Sequence, residues 1–334
     1  MSWNWRLTEG EQDDIERELG DFLPDRILDA HAHLHRAAWW ASPPPIVATG
    51  PAEADLQTYR EQMGRLLPGR ELHALHMAYP FANASEATLA AANAWVAAEA
   101  ARDPLGACLM VVRPGDDPEQ VRETGRRLGV RGLKPYHLYA PLERTWDAAI
   151  PDYLPEPLMV VAEAEEWAVV LHLVRPRGIA DPLNQYWVRR YCEHYPRAPL
   201  VLSHCARGFN PYHVLDGLPA VADLPNLWLD TSAVCSATAV LAALQVMGTR
   251  RIVYGSDFCV SQMRGTAFAV GDTFLWLDEA HAPAAPAHAS GFALPLVGLE
   301  NLRAVKAAAQ LARLSDGEVQ DLFWGNAARL LGLP

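Results

Sequence analysis

No CxxC pair occurs in the sequence, and its five cysteines (Cys108, Cys192, Cys205, Cys235 and Cys259) are scattered and odd in number. That argues against both a disulfide framework and a thiolate zinc site. No apolar run approaches the roughly 20 residues that span a bilayer. Basic residues are also scarce: 28 Lys and Arg stand against 40 Asp and Glu, a net charge of −12 with no basic stripe. Neither a nucleic-acid nor an anionic-membrane partner is expected from that balance. The opening MSWNWRLTEGEQDDIEREL lacks the basic start and apolar middle of a secretory signal, which points to the cytoplasm. Long polar runs are missing too, so disorder is not indicated.

What the sequence does have is 50% hydrophobic residues over 334 positions, enough for a large core. They come in short, nearly continuous runs at 27–30, 72–78, 107–112, 130–133, 169–174, 200–203, 227–230 and 252–255. Runs rich in Leu and β-branched residues, without polar alternation, are how strands covered on both faces of a parallel sheet read. Helical stretches separate them, among them 85–102, opened by Ser85 and Glu86, 117–128, opened by Asp117-Pro118, 185–195 and 237–247. Eight strands alternating with helices predict an α/β fold, a closed (β/α)8 TIM barrel, as one domain over 27–334. Thr8 and Glu11 have capping-box spacing, so 1–26 is expected to be an acidic helical segment ahead of the first strand.

Two connections exceed a simple turn. One, 35–71, carries Trp39, Trp40, the Pro43-Pro44-Pro45 run and a helix at 56–66; the other follows the last strand and is rich in Ala and Pro over 281–291. Both are expected as long loops at the C-terminal face, where barrel enzymes keep their active sites.

The polar residues at the strand ends carry the functional argument. The first strand runs into His31-Ala32-His33, and residues two apart in a strand share a face. The fourth ends at Lys134, the fifth runs into His172, the sixth into His204 and the eighth into Asp257. One histidine in an apolar run is ordinarily structural. Several imidazoles and a carboxylate converging on one small volume are costly without a cation, and Zn²⁺ with nitrogen and oxygen ligands removes the cost. The remaining histidines (His73, His76, His194, His213, His281 and His288) read as structural, and His35 as a pocket candidate.

The HxH, His, His, Asp order resembles the amidohydrolase superfamily. The tail Gly325-Asn326-Ala327-Ala328-Arg329-Leu330-Leu331 is similar to the ending of its amidohydrolase-related branch, which holds hydrolases, lactonases and decarboxylases of aromatic or unsaturated acids. The resemblance implies His31, His33, His172 and Asp257 as ligands of Zn²⁺ or another divalent metal such as Mn²⁺. It implies catalytic roles for His204 and Asp257. Gly255-Ser256-Asp257 is similar to the family's GSDxP element, with Phe258-Cys259 departing from the usual continuation. Lys134 leaves two arrangements open: a carboxylated lysine bridging two metals, with both later histidines on the second, or the GxK of mononuclear relatives; the mononuclear one is the expectation.

Arg113, Arg175, Arg177 and Arg207 follow strand ends closely, which suggests a small anionic substrate, since Arg grips carboxylates in a fork. Arg175 and Arg207 are the foremost candidates, with Tyr136 and His137 lining the same pocket. Trp39 and Trp40 either cap it or pack, within the chain or against a second copy in a homodimer. The expected activity is a metal-dependent hydrolase of a lactone, amide or related bond in a small, carboxylate-bearing substrate. The alternative is a non-oxidative decarboxylase of an aromatic or unsaturated acid.

Overall fold

The computed structural model describes residues 5–82, 85–279 and 293–333. Its main sheet has nine strands: β1 (Arg26–Arg36), β2 (Glu53–Ala54), β3 (Glu71–Ala78), β4 (Ala107–Val112), β5 (Gly132–Pro135), β6 (Ala168–Leu171), β7 (Leu200–Leu202), β8 (Leu227–Asp230) and β9 (Ile252–Val253). They lie in the order β2-β1-β3-β4-β5-β6-β7-β8-β9. Every pairing is parallel except the short β2, which runs antiparallel along the end of β1. The sheet curls in the manner of a TIM-like barrel. The segment after β9 meets β1 through Ala30 N–H donating to Tyr254 O (2.9 Å), Asp257 N–H to His31 O (2.8 Å) and His33 N–H to Phe258 O.

The continuous apolar runs follow from burial on both faces. Leu28, Leu75, Leu109, Val170, Val201 and Val253 gather in one cluster with Trp324, Ala327 and Leu331 from the C-terminal helix region. Their chain neighbours Ile27, Val169, Leu171, Leu200 and Leu202 belong to a second cluster with helix residues such as Leu158 and Val188. Helices cover that outer side, and Ser85, Asp117, Asp181 and Ser236 each accept a backbone N–H of the first turn; the helix expected over 185–195 begins earlier, at Pro182, because Asp181 caps it.

The N-terminal helix Glu9–Leu19 has the full Thr8/Glu11 capping box and buries Ile15 and Leu19. Arg303 ties it down through Asp14 (2.8 Å) and Glu18 (2.7 Å). The connection 35–71 is mostly structured, with helices Pro45–Ala48 and Leu56–Leu66. After β9 the chain forms an antiparallel hairpin, β10 (Gly265–Val270) and β11 (Thr273–Asp278). The Ala/Pro-rich stretch 281–291, with His281 and His288, lies outside the described residues. No helix among the described residues is long and apolar enough to cross a membrane.

Candidate active site

β1 carries a register shift against β3 between Asp29 and Ala32, so the chain bulges beside His31. Bulges re-aim side chains, and here both imidazoles of the HxH converge: His31 Nε2 and His33 Nε2 are 3.2 Å apart. Asp257 Oδ1 lies 3.6 Å from the first and 3.3 Å from the second. Asp257 stands in the turn after β9, in the left-handed region (φ 56°), fastened by its N–H to His31 O. All three side chains are buried.

The second ring nitrogens are already spent. His31 Nδ1 donates to Asp230 Oδ2 (2.9 Å), and His33 Nδ1 faces Ala78 O at 3.3 Å. Each Nε2 is then left as a lone pair, so two lone pairs and a carboxylate oxygen point at one small volume. The nearest donor is Lys134 Nζ, 3.3 Å from His31 Nε2. Burial drives His31 down to about 4, aided by the Lys134 charge, and lowers His33 as well. Burial disfavours ionised Asp257, but a proton on His33, His204 or His31 more than offsets it, so the carboxyl sits below its ordinary range and gives up its proton before these rings do. Neutral imidazoles with an ionised carboxylate are the protonation state a divalent cation requires, so the donor set fits such an ion. Lys134, fully buried, is pushed down to about 8.

After β7 the backbone makes a left-handed turn: His204, Cys205, Ala206 and Arg207 have φ of 58°, 49°, 60° and 65°. L-residues lose roughly 1–2 kcal/mol each in this conformation. His204 N–H donating to Asp230 Oδ1 (2.8 Å) helps hold the turn, which presents His204 and Arg207, three residues apart, to one cavity. His204 Nδ1 is 2.9 Å from Ser232 O and 3.9 Å from Asp257 Oδ2, and its Nε2 is 3.1 Å from His172 Nδ1. His172 Nε2 is buried without a hydrogen-bond partner among the described residues.

The cavity measures about 500 Å³ and is lined by His33, His172, His204, Arg207 and Asp257 beneath aromatic walls that include Trp146, Phe209 and Trp276. The guanidinium of Arg207 lies between the rings of Trp146 (5.0 Å) and Phe274 (5.1 Å). Its Nε is buried without a partner among the described residues, and burial lowers its pKa to about 10. Arg175, in contrast, is engaged by Asp181 (2.8 Å) and the carbonyl of Asp147 (3.0 Å). Arg177 pairs with Asp216 and Asp272, and Arg113 with Asp116. Tyr136 lines the cavity, whereas His137, bonded to Thr145 Oγ1 at 3.1 Å, lines its neighbour.

Three groups escaped sequence reasoning. Asp230 ends β8 and orients His31 and His204, a carboxylate behind an imidazole of the kind that sets metal-ligand tautomers. Its strand-end position was the available signal. Asp29, two residues before His31, accepts from Ser256 N–H (2.8 Å), Tyr59 OH (3.1 Å) and His31 N–H (3.1 Å). Burial raises it to about 7. The hairpin β10–β11 supplies Phe274, Trp276 and Asp278 to the cavity, and its Gly271-Asp272 turn between apolar runs was legible.

A family model described as amidohydrolase matches residues 28–333. The chain therefore belongs to the amidohydrolase family, and it is an enzyme of that superfamily, whose members include hydrolases and decarboxylases. An amidohydrolase from Burkholderia multivorans, solved with bound zinc, superposes with a TM-score of 0.58 at 17% identity, over 92% of this chain and 99% of that one. 5-Carboxyvanillate decarboxylase from Sphingomonas paucimobilis gives 0.54 at 14% identity, over 93% and 100%. A 2-pyrone-4,6-dicarboxylic acid hydrolase, so described with reserve, from Pseudomonas putida gives 0.55 at 17%, over 93% and 98%. No curated protein matches the sequence.

Proposed function

We propose that the chain is a metal-dependent hydrolase of a small, carboxylate-bearing substrate, built on a complete (β/α)8 barrel over residues 27–334 and working in the cytoplasm. The observation that carries this reading is the convergence of His31 Nε2, His33 Nε2 and Asp257 Oδ1, whose ligand atoms all lie within 4.8 Å of one another. These three, with His172 as the fourth, would hold one zinc or similar divalent ion; the unpartnered Nε2 of His172 supports its inclusion. Such an ion, when bound, polarises a carbonyl and acidifies water. Asp257 Oδ2 takes the proton of the attacking water. His204, 3.9 Å from that oxygen, protonates the leaving atom. Arg207 holds the substrate carboxylate, its own charge being unspent on any protein carboxylate among the described residues. Lys134, beside His31, keeps its amine in a mononuclear site.

The aromatic walls favour a second reading, a decarboxylase of a planar acid, in which Asp257 or His204 protonates the carbon losing CO₂. The test is elemental analysis of the purified protein together with a screen of lactones, amides and aromatic carboxylic acids. Acid release from a lactone or amide with a divalent ion bound supports the hydrolase. CO₂ release alone moves the conclusion to the decarboxylase, and active protein without metal overturns both.

A further inference from the structure

A second cavity, of about 630 Å³, opens beside the first. Tyr79, Tyr136 and Trp146 line both, so the two spaces share their walls. On its far side stand Trp39 and Trp40, their rings 6.0 Å apart. Trp39 stacks on Phe81 at 5.5 Å, and Trp40 lies 6.0 Å from the Tyr79 ring. Trp146, at the divide, has its ring 4.2 Å from His137 on one side and 5.0 Å from the Arg207 guanidinium on the other. It is 51% exposed, a large indole surface left uncovered inside a recess.

The chemistry of the lining selects the occupant. Among the described residues no Asp, Glu, Lys or Arg lines this cavity, and burial keeps His137 neutral, down to about 4. A charged group would find no partner there. Tryptophan and tyrosine faces and edges instead favour another ring in an offset or edge-on arrangement. The first cavity holds the opposite feature, a half-buried guanidinium, that of Arg207, paired with no carboxylate among the described residues. His33 and Asp257, two members of the cluster with His31, line the first cavity, on whose wall the two spaces meet.

We propose that the second cavity is a subsite of the same active centre, taking a planar aromatic group joined to the anion-bearing part of the substrate by the bond that is cleaved. This rests on the hydrolase reading above. Water adds across the joining C–O or C–N bond: its hydroxyl goes to the carbonyl carbon and its hydrogen to the leaving oxygen or nitrogen. No oxidant or reductant is needed. The substrate is thus a two-part ester or amide, with its acidic end at Arg207 and its ring on Trp39 and Trp40.

The test is calorimetric binding of ω-phenylalkanoates of increasing chain length to the metal-loaded protein, each against the unsubstituted acid of the same chain. At one or more lengths the phenyl group should tighten binding about 10- to 100-fold, the worth of burying a ring. Trp39→Ala should remove that gain and leave the unsubstituted acids unchanged. Ser42→Trp, which fills the cavity from an exposed position without deleting any packing, should do the same. Arg207→Gln should weaken both members of each pair alike. No phenyl gain at any length, or a gain that survives both cavity variants, overturns the subsite and leaves the hydrolase reading standing. Absence of metal from active protein overturns that reading instead, while the phenyl gain remains measurable. If none of the acids binds metal-loaded protein, the anion site at Arg207 fails and the two-part substrate fails with it.

Discussion

Two histidine–carboxylate clusters occupy opposite ends of the same sheet, and they differ in how far each imidazole is satisfied. Near the start of β3, His73 gives Nδ1 to Asp103 (2.6 Å) and Nε2 to Glu71 (3.0 Å). Both nitrogens are spent, and the bond to Asp103 raises its pKa. At the far end, His31 and His33 each spend one nitrogen and leave the other facing a carboxylate and each other. Their pKa values fall with burial. The residue types are alike, but the lower cluster is a closed ion pair while the upper one is an open donor set. His76, on the same strand as His73, is a third case: buried, with neither nitrogen bonded among the described residues, and driven down to about 4.

The sharpest way to break this contrast is to delete one member at each end. His33→Ala should remove the bound metal and lower turnover beyond the 10²–10⁴-fold typical of a single acid/base group, whereas His73→Ala should keep metal and turnover. Metal content by elemental analysis checks both; a His33→Ala protein that retains its ion would mean the open donor set is not the metal site. Next in size is His204→Asn, expected to keep the metal while turnover falls about 10²–10⁴-fold. If metal and turnover fall together there, His204 is itself a ligand and the two-metal arrangement with Lys134 becomes the better one. Smaller again is Asp230→Asn. It leaves the first ligands intact but alters the partner of His31 Nδ1, so metal affinity should weaken about 10- to 100-fold in a chelator competition. Unchanged affinity would show that Asp230 serves to hold the turns at His204 and Ser232 rather than to orient the His31 ring.

Much of this was legible from strand ends. Apolar runs without alternation marked the strands, and Lys134, His172 and His204 do lie at the ends of β5, β6 and β7; β1 instead continues to Arg36, so His31 and His33 sit inside it, and Asp257 falls in the turn beyond β9. What a strand-end reading cannot supply is orientation. The bulge beside His31 and the left-handed turn at 204–207 decide which side chains meet, and neither has a glycine to announce it. The four arginines looked alike in sequence. Three are paired by carboxylates on nearby or distant segments, such as Asp181 for Arg175, and the fourth is surrounded by rings from Trp146 and Phe274. That difference depends on tertiary contacts over spacings up to 95 residues (Arg177 to Asp272). Asp29 and Asp230 were passed over because a carboxylate bonded to backbone and hydroxyl groups leaves no local pattern.

The smallest effect tests the closed cluster by its pH dependence. His73 has a folded pKa raised above 6.5, first by its bond to Asp103. The stability it contributes is therefore fully present below 6.5 and is lost as pH rises through the folded value. For Asp103, burial works toward a higher pKa, but the bond from His73 and its charge carry the carboxyl below 3.8. Its contribution is present above 3.8 and is lost as pH falls through the folded value. The pair is thus complete between 3.8 and 6.5. His73→Ala leaves Asp103 buried, with Arg60 at 3.5 Å and the Leu105 N–H at 3.2 Å as its remaining partners. A buried acceptor stripped of one bond costs about 1–3 kcal/mol, so denaturant unfolding should show a gap of that size inside the window. The gap should narrow above pH 6.5 as wild-type His73 itself loses its proton. A gap that stays constant from pH 5 to 9 would mean that His73 acts there by packing, and that the lower cluster is not an ion pair.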